Sequence, residues 1–159
     1  MKNFKIVPLS AEYAGKIQKT RKDDFGHEVV EELANGSGPC RVSLKPFTVG
    51  QDMRLLFSHS PFEIDNAFNQ PGPVFIHKEE VKPYEDIYRF PPGIKANKVS
   101  FPLSLIGYSK EQKMVFSKIV GDADVDDLIV EIFQQHPEIE YLHSRNAQAC
   151  CYICKIERI

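Results

Sequence analysis

Two short polar segments carry the residue types from which a site would be built. Cys40 and Arg41 follow Gly38-Pro39, and His143, Arg145 and Asn146 stand together far along the chain. A thiol beside a cation titrates lower and is more nucleophilic. Cys40 with His143 and Asn146 would supply a thiol nucleophile, its base and an orienting amide. No local signature of a thiol enzyme surrounds Cys40, and the competing reading is a buried structural cysteine that packs as a small hydrophobe. Arg41 and Arg145 suit a second chemistry, because guanidinium forks match carboxylate and phosphate. If they converge with His143, they make an anion site, with His77 as a further ligand-binding residue. The blander alternative is that each arginine pairs with one of the 22 acidic residues at the surface.

Other patterns offer less. Cys151-Tyr-Ile-Cys154 has the C-x-x-C spacing, but Tyr and Ile favour a strand, where positions i and i+3 face opposite sides. The two sulfurs then pack separately, and no Cys or His stands at ligand spacing to complete a metal site. Asp122, Asp124, Asp126 and Asp127 lack the glycine and terminal glutamate of a calcium loop and read as helix caps. Gly36-Ser-Gly38 is too short to cradle a phosphate. No metal and no cofactor is expected.

Composition narrows the field. The chain has 159 residues, 42% hydrophobic and 26% charged, which fits a single domain spanning 1–159. Its 20 basic and 22 acidic residues give a net charge of −2, with no clustered basic face of the kind nucleic acid requires. No stretch approaches the roughly 20 apolar residues of a membrane span, and the first residues lack the apolar core of a signal peptide. Four cysteines in such a chain read as reduced thiols, and the expected compartment is the cytoplasm.

The elements that must position these residues follow from periodicity. Phe4 to Val7 reads as a strand stopped by Pro8. Ser10 caps a short helix running to about Lys19, and His27 to Leu33 reads as another. From Cys40 to Leu44 apolar and polar residues alternate, a strand signature. Met53 to Ser58 is the next strand after a turn at 49–52. Residues 60–72 form a long loop before the strand Val74 to His77. Residues 82–95, with three prolines and several aromatics, read as a packed loop holding one helical turn. Val99 to Tyr108 reads as strand, and Ser109 to Gln112 as the hairpin turn into Met114 to Val120. The helix Asp124 to Gln135 is the clearest element, with Val125, Leu128, Ile129, Ile132 and Phe133 in one stripe. Ile139 to Ser144 and Cys151 to Ile156 are terminal strands joined by the polar turn 145–149. This order predicts an α+β fold, a mainly antiparallel sheet of about 6–8 strands with one good helix and short N-terminal helices.

Three stretches together carry a resemblance: Gly38-Pro-Cys-Arg-Val-Ser-Leu44, Gly72-Pro-Val-Phe-Ile-His77, and Tyr141-Leu-His-Ser-Arg-Asn-Ala147 leading to Cys151-Tyr152 and Arg158. They resemble the bacterial family catalogued as domain of unknown function 1203, over nearly the whole chain from Phe4 to Arg158. The resemblance implies a single-domain bacterial protein and carries no catalytic residue across. Cys150 stands where the pattern has Gly, which bears on a tight turn there. Ile106 stands where it has Arg, which bears on any pocket built from several arginines.

Three functions from different classes follow. The first is a binding module for a small anionic ligand, held by Arg41, Arg145, His143 and Asn146. The second is an enzyme with Cys40 as nucleophile and His143 as base. The third is a plain interaction or structural domain, one version of which is a homodimer paired through an exposed strand edge.

Overall fold

A computed structural model of the chain describes residues 2–159. Eight strands form two antiparallel sheets, accompanied by three helices. The larger sheet contains β1 (Phe4–Val7), β5 (Leu103–Tyr108), β6 (Met114–Ile119), β7 (Tyr141–Asn146) and β8 (Tyr152–Arg158), in the order β1-β8-β7-β5-β6. The smaller contains β2 (Val30–Leu33), β3 (Met53–His59) and β4 (Gly72–His77), in that order. The α+β class and the strand count agree with the sequence reading, with the strands divided between two sheets.

Each sheet buries one face under a helix. α3 (Val125–Gln135) turns all five residues of its apolar stripe into the core. There it meets Leu103, Leu105, Leu142, Cys154 and Ile156 of the large sheet. Burying five such side chains contributes on the order of 10 kcal/mol of gross transfer free energy. Asp124 caps the helix by accepting the Asp127 N–H at 3.1 Å. At the other end Arg158, on β8, donates to the carbonyls of Phe133 and His136 at 2.7 and 2.9 Å. This satisfies acceptors that every helix terminus leaves free. α1 (Ala11–Thr20), capped by Ser10, packs Ala14 and Ile17 against Leu55, Phe57, Val74 and Ile76 of the small sheet. α2 (Pro92–Lys95) is the single helical turn expected in the loop 82–95.

The structure corrects three expectations. The helix expected at His27 to Leu33 is β2, paired from Val30↔Leu56 to Leu33↔Met53. Val30 and Leu33 are each 50% exposed, so no buried helical stripe exists to hold a helix, and the open edge of β3 captures the segment instead. The strand expected at Cys40 to Leu44 is a tight turn, closed by the Leu44 N–H donating to the Cys40 carbonyl at 2.9 Å, with Leu44 at φ 53°. All five residues are buried, so the apolar–polar alternation there records no solvent-facing side. The strand expected from Val99 begins only at Leu103. Residues 97–100 turn instead, with Asn97 accepting the Ser100 N–H, and Val99 is 92% exposed.

The departure at Cys150 is resolved by the backbone. Cys150 takes the left-handed conformation (φ 65°) that glycine adopts most readily, and the turn still forms. Asn146 secures it, its Oδ1 accepting the N–H groups of Gln148 and Ala149 at 2.9 and 2.8 Å.

Gly38 controls the turn that carries Cys40 and Arg41. It has φ 88°, and a Cβ there would overlap the Phe47 ring. Gly38→Ala is therefore expected to cost about 2–3 kcal/mol, read as a lower midpoint in urea unfolding. Gly36→Ala, where a Cβ meets no atom within 4 Å, serves as the neutral control.

Candidate functional site

The Arg41 turn lies where the two sheets meet. Cys40 forms a parallel bridge with Phe75 of β4. The Arg41 N–H donates to the Phe75 carbonyl at 3.0 Å, and the Arg41 carbonyl accepts the Leu9 N–H at 2.9 Å. The guanidinium reaches the other sheet. Its Nε donates to the Tyr152 carbonyl of β8 at 2.7 Å, and Nη1 bonds the Pro39 carbonyl. The residue is 3% exposed. Among the described residues no carboxylate lies within 4.0 Å of it. Burial draws its pKa down to about 10, so it stays charged at neutral pH.

That buried charge lines a cavity of about 390 Å³, with Asn146, Ala149 and Cys151 from the β7–β8 turn and Pro73 and Phe75 from β4. Arg145 borders two adjoining cavities, of about 190 and 240 Å³. The first also has His59 and Cys151 in its wall, the second Asn146. Arg145 donates to the Cys150 carbonyl at 3.0 Å and likewise has no carboxylate within 4.0 Å among the described residues. The two polar segments thus approach one another around the β7–β8 turn. Arg41 and Asn146 share a cavity, and Arg145 stands next to it.

His143 does not join them. It is fully buried among the rings of Phe62, Tyr108, Tyr141 and Tyr152, with centroids 4.8–5.2 Å away. Neither ring nitrogen has a hydrogen-bond partner. Burial, then the positive charges of Arg145 and Lys155, push its pKa down to about 3. It is a neutral core histidine, without the hydrogen bond to Cys40 that a general base there would make. Asn146 spends its carbonyl oxygen on the turn. His77 stands apart from the Arg41 cavity, with its ring 4.7 Å from Phe47 and Nε2 3.7 Å from Asp52 Oδ2.

A polar cavity-lining residue that the sequence reading missed is His59. His59 ends β3, and burial draws its pKa down to about 4. No spacing in the sequence links it to Arg145. Cys151 was legible as half of a C-x-x-C. The structure separates the pair as strand geometry requires, with Cys151 at the cavity wall and Cys154 in the α3 core.

A further cavity, of about 610 Å³, lies between α2, the β6–α3 turn and Leu103. Its cations are already engaged. Lys95 is 2.7 and 2.6 Å from Asp124 and Asp126, Lys98 donates to the Ala123 carbonyl at 2.8 Å, and Arg89 is 3.4 Å from Asp86. An incoming anion gains less there than beside Arg41.

The aromatic enclosure of His143 makes stability pH-dependent with a defined sign. Its folded pKa is depressed, so below about pH 6.5 the unfolded chain binds the extra proton. Stability is then lost as pH falls from about 6.5 toward 3, by about 1.4 kcal/mol per unit from this residue. His143→Phe is expected to unfold at pH 4.5 with about 2–3 kcal/mol less acid loss than the wild type, read from urea midpoints at pH 4.5 and 7. Equal losses would mean that the surrounding rings accept an imidazolium through their faces.

Comparison with known proteins agrees with the resemblance and adds no activity. No curated protein and no solved structure matches the chain at a significant level. The family model described as "Protein of unknown function (DUF1203)" matches residues 37–158, a span holding Arg41, Arg145 and every cavity-lining residue named above. The chain therefore belongs to the DUF1203 family.

Proposed function

We propose that the protein binds a small anionic ligand, a carboxylate or phosphate, in the cavity beside Arg41. The observation that carries this reading is a buried guanidinium satisfied only by carbonyls, with a cavity at its side and no acid within 4.0 Å among the described residues. A buried charge without a counter-charge is costly, and natural proteins almost always pair it. An anion in the cavity supplies the missing partner. Asn146 lines the same cavity, and Arg145 borders the adjoining ones. The apolar wall of Pro73, Phe75 and Ile153 sets a small, partly apolar ligand against the charged end.

Thermal shift and calorimetry with inorganic phosphate and with succinate test the reading. At about ten times the dissociation constant the wild type should gain roughly 1.4 kcal/mol, a rise of about 3–5 °C for a chain of this size. Arg41→Met should abolish the shift, and Arg145→Met should weaken it. Ala149→Leu, which fills the cavity while leaving both arginines in place, keeps the test sound if Arg41→Met fails to fold. Equal responses from wild type and Ala149→Leu would overturn the proposal.

A further inference from the structure

An open sheet edge offers its backbone N–H and C=O groups to another strand, and proteins guard most edges for that reason. Three of the four edges here are guarded. The outer side of β1 is met by the loop before α2, where the Ile6 N–H donates to the Ile87 carbonyl at 2.6 Å. β4 is met by the 40–44 turn, through the Cys40–Phe75 bridge and the Arg41 N–H. β2 is only four residues long, and two of them are glutamates. Glu31 holds Arg21 and Lys78, and Glu32 holds Arg54.

β6 differs on each count. It runs six residues, Met-Val-Phe-Ser-Lys-Ile, with one charge and four apolar side chains. Only Phe116 is part-buried, and Ile119 is 69% exposed. The direction of its backbone is set by β5. The Val120 N–H donates to the Leu103 carbonyl at 2.9 Å, so Val120 faces β5. By alternation Lys118 and Phe116 face β5 as well, and Ser117 and Ile119 turn their N–H and C=O groups outward. Among the described residues no other strand pairs with that side. The irregularity in the β5–β6 pairing lies at the Met114 end and leaves 116–119 in regular register.

We propose that β6 pairs antiparallel with β6 of a second copy, about a two-fold axis at Ser117, and so joins two five-stranded sheets into one. The strand is complementary to itself in this register. At the axis each Ser117 N–H donates to the partner's Ser117 carbonyl. Val115 stands opposite the partner's Ile119, apolar against apolar. Phe116 stands opposite the partner's Lys118, which brings an ammonium to an aromatic face. The register centred on Lys118 would instead set two lysines directly opposite each other, which is unfavourable. Beyond the strand, Lys113 falls beside the partner's Asp122 on both sides of the axis. Both residues are exposed. A second copy thus gives each charge its complement, which an unrelated apolar peptide would not.

Sedimentation velocity on the whole protein over a concentration series tests the join. The wild type is expected to rise about twofold in mass as concentration increases, exchanging reversibly between one chain and two. Ser117→Pro should hold the mass at one chain over the same range. It removes the N–H at the axis and costs no bond to β5, so its urea midpoint should stay near that of the wild type. Lys113→Glu should weaken association about tenfold, and adding Asp122→Lys should restore it. This charge exchange decides the matter should Ser117→Pro fail to fold. A wild type that stays at one chain throughout overturns the proposal, as would be seen if the edge served a peptide of another protein. So does a dimer that survives Ser117→Pro in folded form or ignores the charge exchange. The outcome is independent of anion binding at Arg41, because none of these residues lines that cavity.

Discussion

Arg41 ties the architecture together through bonds to three separate parts of the chain. Its backbone N–H holds β4, its carbonyl holds the segment entering α1, and its guanidinium spans to the carbonyl of Tyr152 on β8. A buried arginine in such a position normally brings a carboxylate with it, since desolvating the charge costs several kcal/mol. Here carbonyl dipoles supply the stabilisation, and the charge is left facing a cavity. The same residue therefore serves the join between the sheets and the chemistry proposed beside it. That join also explains the tight turn at 40–44. Only a compact turn lets one residue present its amide to one sheet and its side chain to the other.

Much of this was legible in the sequence. α3 was read within a residue of its observed start because its apolar stripe, its Asp124 cap and Pro137 all point to the same boundaries. The two terminal strands and the β5–β6 hairpin followed from alternation and turn residues. The reading failed where tertiary pairing overrides local preference. β2 has no buried stripe of its own and is a strand because β3 offers it an edge. The 40–44 turn mimicked a strand because Arg41 and Ser43 are buried with their apolar neighbours.

The site was legible to a similar degree. Chemistry-bearing residues can be listed from a sequence, but their partners depend on contacts between distant segments. Arg41 and Asn146 do share a cavity, and Arg145 borders the next. His143 does not, because alternation along β7 turns it into the aromatic cluster with Tyr141 while Leu142 faces α3. The strand that carries His77 is instead the one bridged to Cys40 through Phe75, a pairing between segments with no shared motif. Cys40 and Cys154 make the same point. Equal burial leaves one thiol lowered and the other raised, and only the neighbours differ.

The uncompensated charge on Arg41 is the central claim, and the side-chain resonances of that arginine report on it directly. Its Nε–H is buried and hydrogen-bonded to Tyr152, so it exchanges slowly enough with water to be followed by ¹⁵N NMR. Titration with inorganic phosphate should move the Arg41 Nε–H and the Asn146 side-chain amide together, along one saturable curve. Shifts confined to exposed lysines and arginines, linear in phosphate and leaving Arg41 unmoved, would contradict the account.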